Sequence, residues 1–254
     1  MSWASRRQLI TLSILGAILA AFLAIVLIAT FYKTPTCTDN KKNQSEEGVD
    51  CGGSCAYLCT MGQEPPTVLF TQALPNGEGR TDIIALVENK NATAGAKDVP
   101  YRITLYGYDQ ILIQSVTGTV DLPPGATVPV FVPGVVSGRQ TVGTAFLAID
   151  PSAIRWYSLT DDPRIVPEVS NTALRGTTDS PRISALLTNP DVRPLTNARV
   201  IAVVRDASGN AIAASQTLVQ TIPAQGQATA MFIWNTAFSG VPISIQVFPF
   251  VPLP

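Results

Sequence analysis

Four cysteines, Cys37, Cys51, Cys55 and Cys59, fall within 23 residues, and the chain has no others. Thiols clustered in this way either close disulfides or hold a metal as thiolates. Their spacing, C-x13-C-x3-C-x3-C, lacks the paired C-x2-C knuckles of zinc and iron–sulfur sites, so two disulfides are expected, in any of three connectivities. Asp39, Asn43, Glu46, Glu47 and Asp50 supply hard oxygen donors between the first two cysteines. Calcium accepts about six to eight oxygens in irregular geometry, and Asp39, Asn43, Glu46 and Asp50 are the candidate ligands. The spacing is not that of an EF-hand, because Lys41 stands where a third-position ligand would fall. A solvated loop stapled by disulfides, with no ion, is therefore the simpler expectation.

Elsewhere the sequence carries little chemistry. It has no histidine, which removes the commonest general base, the serine triads and most catalytic zinc sites. It has no GxSxG elbow, P-loop or dinucleotide fingerprint, and its acidic residues are single apart from Glu46-Glu47 and Asp161-Asp162. Charged residues make up 14% of the chain and the net charge is −1, far from the basic stripe that neutralises phosphates. Nucleic acid is not an expected partner, and no enzymatic activity is expected. Asn43-Gln44-Ser45 and Asn91-Ala92-Thr93 satisfy the glycosylation sequon, which has meaning only in a glycosylating host.

Two kinds of element must carry these residues. The first is the uncharged run Leu9–Tyr32, which as a helix rises about 1.5 Å per residue and spans roughly 36 Å, enough for a hydrocarbon core of about 30 Å. Arg6 and Arg7 precede it, so the positive-inside rule leaves the N-terminus in the cytoplasm and sends residues 33–254 out, where disulfides persist. A cleaved signal peptide would have a shorter apolar region, although a cut near Ala29 is the competing reading. A type IV pilin would need a Gly-Phe junction and an early glutamate, both missing. Gly16, Ala20 and Ala24 recur at every fourth position, a spacing that lets helices approach; a lone anchor is the preferred reading.

The second kind is the β-strand. Val68–Leu74, Thr81–Asn89, Val99–Asp109, Ile111–Leu122, Thr127–Pro133 and Gly143–Asp150 are short β-rich runs punctuated by Gly, Pro, Asn and Asp. The second half repeats the first with an offset close to 100. Ala73-Leu74 matches Ala173-Leu174, Ile83-x-Ala85-Leu86 matches Ile183-x-Ala185-Leu186, and Asn89 matches Asn189. Leu122-Pro123-Pro124-Gly125 matches Ile222-Pro223-Ala224-Gln225-Gly226, Phe131 falls opposite Phe232 within a residue, and Ile149-Asp150-Pro151 answers Val247-Phe248-Pro249. This period suits two complete sandwich domains in series. The expected fold is all-β: two tandem immunoglobulin-like antiparallel sandwiches behind one N-terminal transmembrane helix. The expected divisions are 1–8 in the cytoplasm, 9–32 in the membrane, a cysteine-rich segment at 33–63, and sandwiches at 64–160 and 161–254. Placed end to end, the sandwiches would reach on the order of 70–80 Å. Trp156 and Tyr157 are expected either at the domain junction or at the edge of the first core.

Each repeat resembles the FxLYD-type and related immunoglobulin-like modules of prokaryotic envelope proteins. The resemblance rests on Val87-Glu88-Asn89, Ile103-Thr104-Leu105-Tyr106 and Leu122-Pro123-Pro124-Gly125 in the first copy. In the second it rests on Thr188-Asn189-Pro190, Ile201-Ala202-Val203-Val204, Asp206-Ala207-Ser208-Gly209-Asn210 and Ile222-Pro223. The cysteine segment resembles a surface-protein motif, C-x-D-G-x-x-N-x-x-E-x-x-V-D-C-G-G-x-C. It is matched by Cys37, Asp39, Asn43, Glu46, Val49, Asp50, Cys51, Gly52, Gly53 and Cys55, with Asn40 in place of a glycine. These resemblances imply the fold and a membrane-anchored envelope or surface location more than an activity; the scarcity of catalytic chemistry then leaves the sandwiches as spacer or binding modules toward a protein partner or surface ligand. The alternative is an accessory subunit of an envelope assembly, in which the helix pairs specifically.

Overall fold

The structure is a computed structural model that describes residues 3–31, 36–43, 45–77, 79–136, 141–160 and 162–254. Tyr32, Lys33, Gln44 of the first sequon and Asp161 of the second acidic pair lie outside the described residues. The chain divides into two compact units, Met1–Cys55 and Ala56–Pro254.

In the first unit, helix α1 (Trp3–Phe31) begins earlier than the apolar run and takes Arg6 and Arg7 into its opening turns. The Arg7 guanidinium lies 4.4 Å from the Trp3 ring centroid, and Thr11 Oγ1 donates to the Arg7 carbonyl at 2.8 Å. The uncharged stretch that follows has no polar face, as expected of a helix whose surroundings are apolar on every side.

Among the described residues the second unit holds thirteen strands, all paired antiparallel. They are β1 (Thr67–Pro75), β2 (Thr81–Glu88), β3 (Ala94–Gly107), β4 (Leu112–Leu122), β5 (Thr127–Val136), β6 (Val142–Ile149), β7 (Trp156–Ser158), β8 (Glu168–Thr177), β9 (Ser180–Thr188), β10 (Leu195–Arg205), β11 (Ala211–Ile222), β12 (Gln227–Ile233) and β13 (Ser244–Phe250). Sheet β1-β2-β5 stacks on β4-β3-β6, and sheet β8-β9-β12 stacks on β11-β10-β13. The two sandwiches thus repeat one strand order. Ile83, Val87, Ile103, Leu105 and Leu122 fill the first core, and Ile183, Leu187, Val200, Val204 and Phe232 fill the second. Trp156 is buried in the first core, where β7 pairs with β3; the edge of that core, not the domain junction, is its place.

Hydrogen bonds repeat with the fold. Asn89 Nδ2 donates to the carbonyls of Ala94, Leu122 and Pro123 at 2.8, 3.3 and 2.8 Å. Asn189 Nδ2 donates to those of Arg193, Ile222 and Pro223 at 2.8, 3.4 and 3.1 Å. Both amides are buried, and each satisfies strand-end carbonyls that would otherwise be stranded from water.

Register corrects four details of the sequence alignment. Ala73 opposes Ile83 as Leu174 opposes Ile183, so a bulge between Ser170 and Ala173 makes Leu174, not Ala173, the counterpart of Ala73. Val132 pairs with Ile83 as Phe232 pairs with Ile183, so Val132, not Phe131, is the counterpart of Phe232. A one-residue slip in a strand turns a side chain to the opposite face, and Phe131 accordingly faces away from its own core. Likewise Ile149 and Pro249 oppose the equivalent residues Tyr101 and Val200, so the closing prolines do not correspond. The left-handed turn position of Gly125 (φ 58°) is held in the second copy by Gln225 (φ 48°), one residue before the glycine.

The end-to-end arrangement is not what the fold adopts. Leu74 and Ile84 of the first sandwich form a third buried cluster with Ile201, Val203, Ala211 and Ala214 of the second, flanked by Phe70, Phe131 and Phe248. Fully burying one large aliphatic side chain contributes about 1.5–3 kcal/mol. Leu74, Ile84, Ile201 and Val203 together therefore contribute roughly 6–12 kcal/mol before the cost of ordering, enough to hold the sandwiches flank to flank. The contact is heterologous, since the first copy offers its β1-β2-β5 face and the second its β11-β10-β13 face. The corresponding free faces are more polar at these positions: strand pairing puts Ser170 and Ser184 at the positions of Phe70 and Ile84, and Arg102 and Thr104 at those of Ile201 and Val203, although Met231 and Phe146 stay exposed beside them.

Candidate functional site

The cysteine loop is built by its own carboxylates. Asp50 Oδ1 accepts from the Asp39 N–H at 3.0 Å and its Oδ2 from the Asn40 N–H at 2.9 Å. Asp39 in turn accepts from the Lys41 N–H at 3.0 Å and from Asn43 Nδ2 at 2.9 Å, and Glu46 Oε2 accepts from the Asn43 N–H at 3.0 Å. Asn40 takes a φ of 57°, the left-handed turn expected where the motif has glycine. Gly53, at φ 59°, lies so close to the Ser45 carbonyl that a Cβ would strike it.

The four candidate calcium ligands therefore share one loop, but their carboxylate oxygens bind the loop's N–H groups. Among the described residues, the ligating atoms that converge within 4.8 Å belong to Cys37, Glu46 and Cys55. The two sulfurs in that group are bonded to each other, Cys37 to Cys55, with a Cα–Cα distance of 5.7 Å, and a disulfide is not a thiolate donor. Glu46 Oε1 rests 3.3 Å from Cys55 Sγ, a packing contact, since that sulfur carries no hydrogen. Cys51 and Cys59 are disulfide-bonded as well, so all four cysteines are oxidised.

In the second unit the buried acids are also committed to backbone. Asp82 Oδ1 accepts from the Gly134 N–H at 2.7 Å. Asp121 accepts from the N–H groups of Asp98 (2.9 Å) and Leu253 (3.0 Å), drawing the segment after β13 onto the first sandwich. Arg164 holds the same segment through the Val251 carbonyl at 2.9 Å and pairs with Asp162, whose carboxyl it keeps below its ordinary value. Burial, reinforced by the Asp121 charge, raises the pKa of Tyr157 beside this clamp. None of Asp82, Asp121 or Arg164 stood out in the sequence, because the bonds to Gly134, Leu253 and Val251 span 52, 132 and 87 residues. Asn91, the second sequon asparagine, clasps Glu64: its Oδ1 accepts from the Glu64 N–H and its Nδ2 donates to the Glu64 carbonyl, both at 2.8 Å. Its amide is thus used to fasten the segment leading into β1.

Clefts occur at equivalent places in the two sandwiches. One of about 530 Å³ lies between β1 and β6 and is lined by Ala73, Pro75, Thr81, Tyr108, Val142 and Ala145. Its counterpart beside β8, of about 370 Å³, is lined by Leu174, Arg175, Pro181, Phe238 and Pro242.

No protein-family model matches the chain, and no curated protein matches it. Among solved structures, red sea bream transglutaminase is similar over 74% of this chain and 29% of that one, at 14% identity and a TM-score of 0.24. The chain thus spans under a third of that protein's length. A likeness of this size carries no argument about activity.

Proposed function

We propose that the chain is a non-enzymatic, single-pass protein of the cell envelope, with its N-terminus in the cytoplasm and its two sandwiches outside, where they bind a protein partner. The observation that carries this reading is the helix. Leu12, Ile18 and Phe22 are 69, 62 and 62% exposed, and an 18-residue window of the span Arg6–Ala29 has a mean hydropathy of 2.9 and no residue buried among the described residues. About 20 consecutive apolar residues uncovered on every face are stable in lipid and costly in water. Arg6 and Arg7 orient the helix. Export suits the oxidised cysteines. The fused sandwiches favour binding over reach, because flank-to-flank packing gives up the length that a spacer would gain from duplication.

Membranes washed at high pH test the reading. The full chain should stay in the membrane pellet, and a chain lacking residues 3–31 should move to the supernatant. Release of the full chain would contradict an integral anchor.

A further inference from the structure

We propose that the free face of sheet β8-β9-β12 in the second sandwich docks an acidic segment of a protein partner through Arg175 and Arg182. The inference deepens the reading of the sandwiches as binding modules and rests on it. Strand register shows what this face is. Arg175 opposes Arg182 as Leu74 opposes Asp82, and Met231 opposes Ser184 as Phe131 opposes Ile84. The face is therefore the duplicate of the one that the first sandwich buries in the shared cluster, where Leu74 and Ile84 lie with Phe131 beside them. The strand arrangement is kept in the second copy and the chemistry is changed, since the positions of Leu74 and Asp82 both carry arginine.

Cross-strand neighbours point to the same side of a sheet, and like charges directly opposite each other are destabilising. Arg175 and Arg182 are such a pair, and both are exposed. Among the described residues the ion pairs of residues 162–254 are Asp162–Arg164 and Asp191–Arg193. Neither guanidinium of the pair thus has an acidic partner, and Asp179 in the turn of the same hairpin reaches neither. A carboxylate brought by a partner relieves the repulsion and meets the planar N–H fork for which arginine is suited.

The surroundings ask for an apolar side chain next to that acid. Ile233 opposes Arg182, and Met231 returns to the same face two residues earlier; they are 54 and 45% exposed. Arg175 also lines a cleft of about 370 Å³ whose walls include Leu174, Pro181, Phe238 and Pro242. Residues 162–254 are described without a gap, so within this sandwich the borders of the face and of the cleft are set by described side chains. Arginine and methionine are enriched in interfaces and lysine is depleted, and the second sandwich has no lysine. A bare anion would leave Met231 and Ile233 uncovered, whereas an acidic protein segment with apolar side chains covers both kinds of group.

The probe is a phage-displayed library of random twelve-residue peptides, panned on the full chain held in nanodiscs of zwitterionic lipid. The selected sequences should carry paired Asp or Glu next to a large apolar residue. With a fluorescein label, the leading peptide should bind saturably by anisotropy and weaken severalfold as salt rises from about 0.05 to about 0.5 M. Its affinity should fall about tenfold or more for R175T/R182T and severalfold for I233S. All three positions are exposed, circular dichroism reports folding, and I233S serves if the double variant does not fold. Selected peptides without acidic residues, no saturable binding up to about 1 mM, or unchanged affinity in folded R175T/R182T or in I233S overturns the proposal. Sedimentation of the nanodisc-held chain with added phosphatidylglycerol vesicles, lost in R175T/R182T, overturns it as well and assigns the face to a membrane surface. Each of these outcomes removes this face and leaves the anchor and its membrane-wash test untouched.

Discussion

Replacing Asn189 by alanine removes one donor group shared among the carbonyls of Arg193, Ile222 and Pro223, together with the Oδ1 acceptor that takes the Asp191 N–H at 3.0 Å. The residue is fully buried, so water cannot take over these bonds without opening the end of the sandwich. Leaving one buried polar group unsatisfied costs about 1–3 kcal/mol. Two well-placed acceptors and one N–H are affected, and the 3.4 Å contact to Ile222 counts for little, which gives an expected loss of roughly 3–5 kcal/mol. That is a large part of the total for a domain of this size, about 5–15 kcal/mol. Asn189→Asp should cost still more at neutral pH, since a carboxylate faces three carbonyls with no proton to donate. Its deficit should shrink on acidification, when the protonated form regains a donor. Urea unfolding followed by tryptophan fluorescence reads the effect, with Trp234 in the affected core and Trp156 in the other. A loss under about 1 kcal/mol for N189A, or a pH-independent N189D, would refute the claim that this amide closes the sandwich end.

Asn89→Ala should behave like Asn189→Ala to within about 1 kcal/mol, because the same bonds are made in the first copy. The pair Ile201→Arg and Val203→Thr, which copies the polar free face of the first sandwich, should separate the two sandwiches while each stays folded. Scattering would then report a larger radius and urea two transitions, whereas an unchanged single transition would count against the shared cluster. Gln225→Gly should stabilise the second copy by about 0.5 kcal/mol, relieving a side chain at positive φ; a loss of stability would show that the turn is not strained. The Asp162–Arg164 clamp should weaken on acidification. A folded-state pKa below the ordinary 3.8 means that its contribution is present above that value and is lost as pH falls through the lowered one. The protection factor of the Leu253 amide, its exchange relative to the unfolded rate at the same pH, should then fall, and Arg164→Ala should produce the same loss at neutral pH.

The strands and their repetition were legible because alternation, turn residues and the offset near 100 each reflect local chemistry. The pairing of the sandwiches was legible too, in a signal that passes easily for strong strand propensity. Ile83–Val87 and Val200–Val204 are continuous apolar runs, which a strand needs only when both of its faces are covered. The equivalent stretches Ile183–Leu187 and Tyr101–Leu105 are interrupted by Ser184 in the one and by Arg102 and Thr104 in the other. In the cysteine segment, composition named the acids but not their work. Whether a carboxylate turns to an ion or to a backbone N–H depends on turn geometry, here the positive φ of Asn40 and Asp50. Asp121 and Arg164 were beyond reach of the sequence, since their partners lie 132 and 87 residues away.

The proposed topology places Arg6 and Arg7 on one side of a membrane and the sandwiches on the other. Protease added outside intact spheroplasts, followed by mass spectrometry of the membrane-bound remnant, reads this directly. The expected remnant retains α1 with its N-terminal arginines and lacks the sandwiches, while a cytoplasmic control protein stays whole. Sandwiches that survive until the cells are lysed, and are then digested, would contradict it.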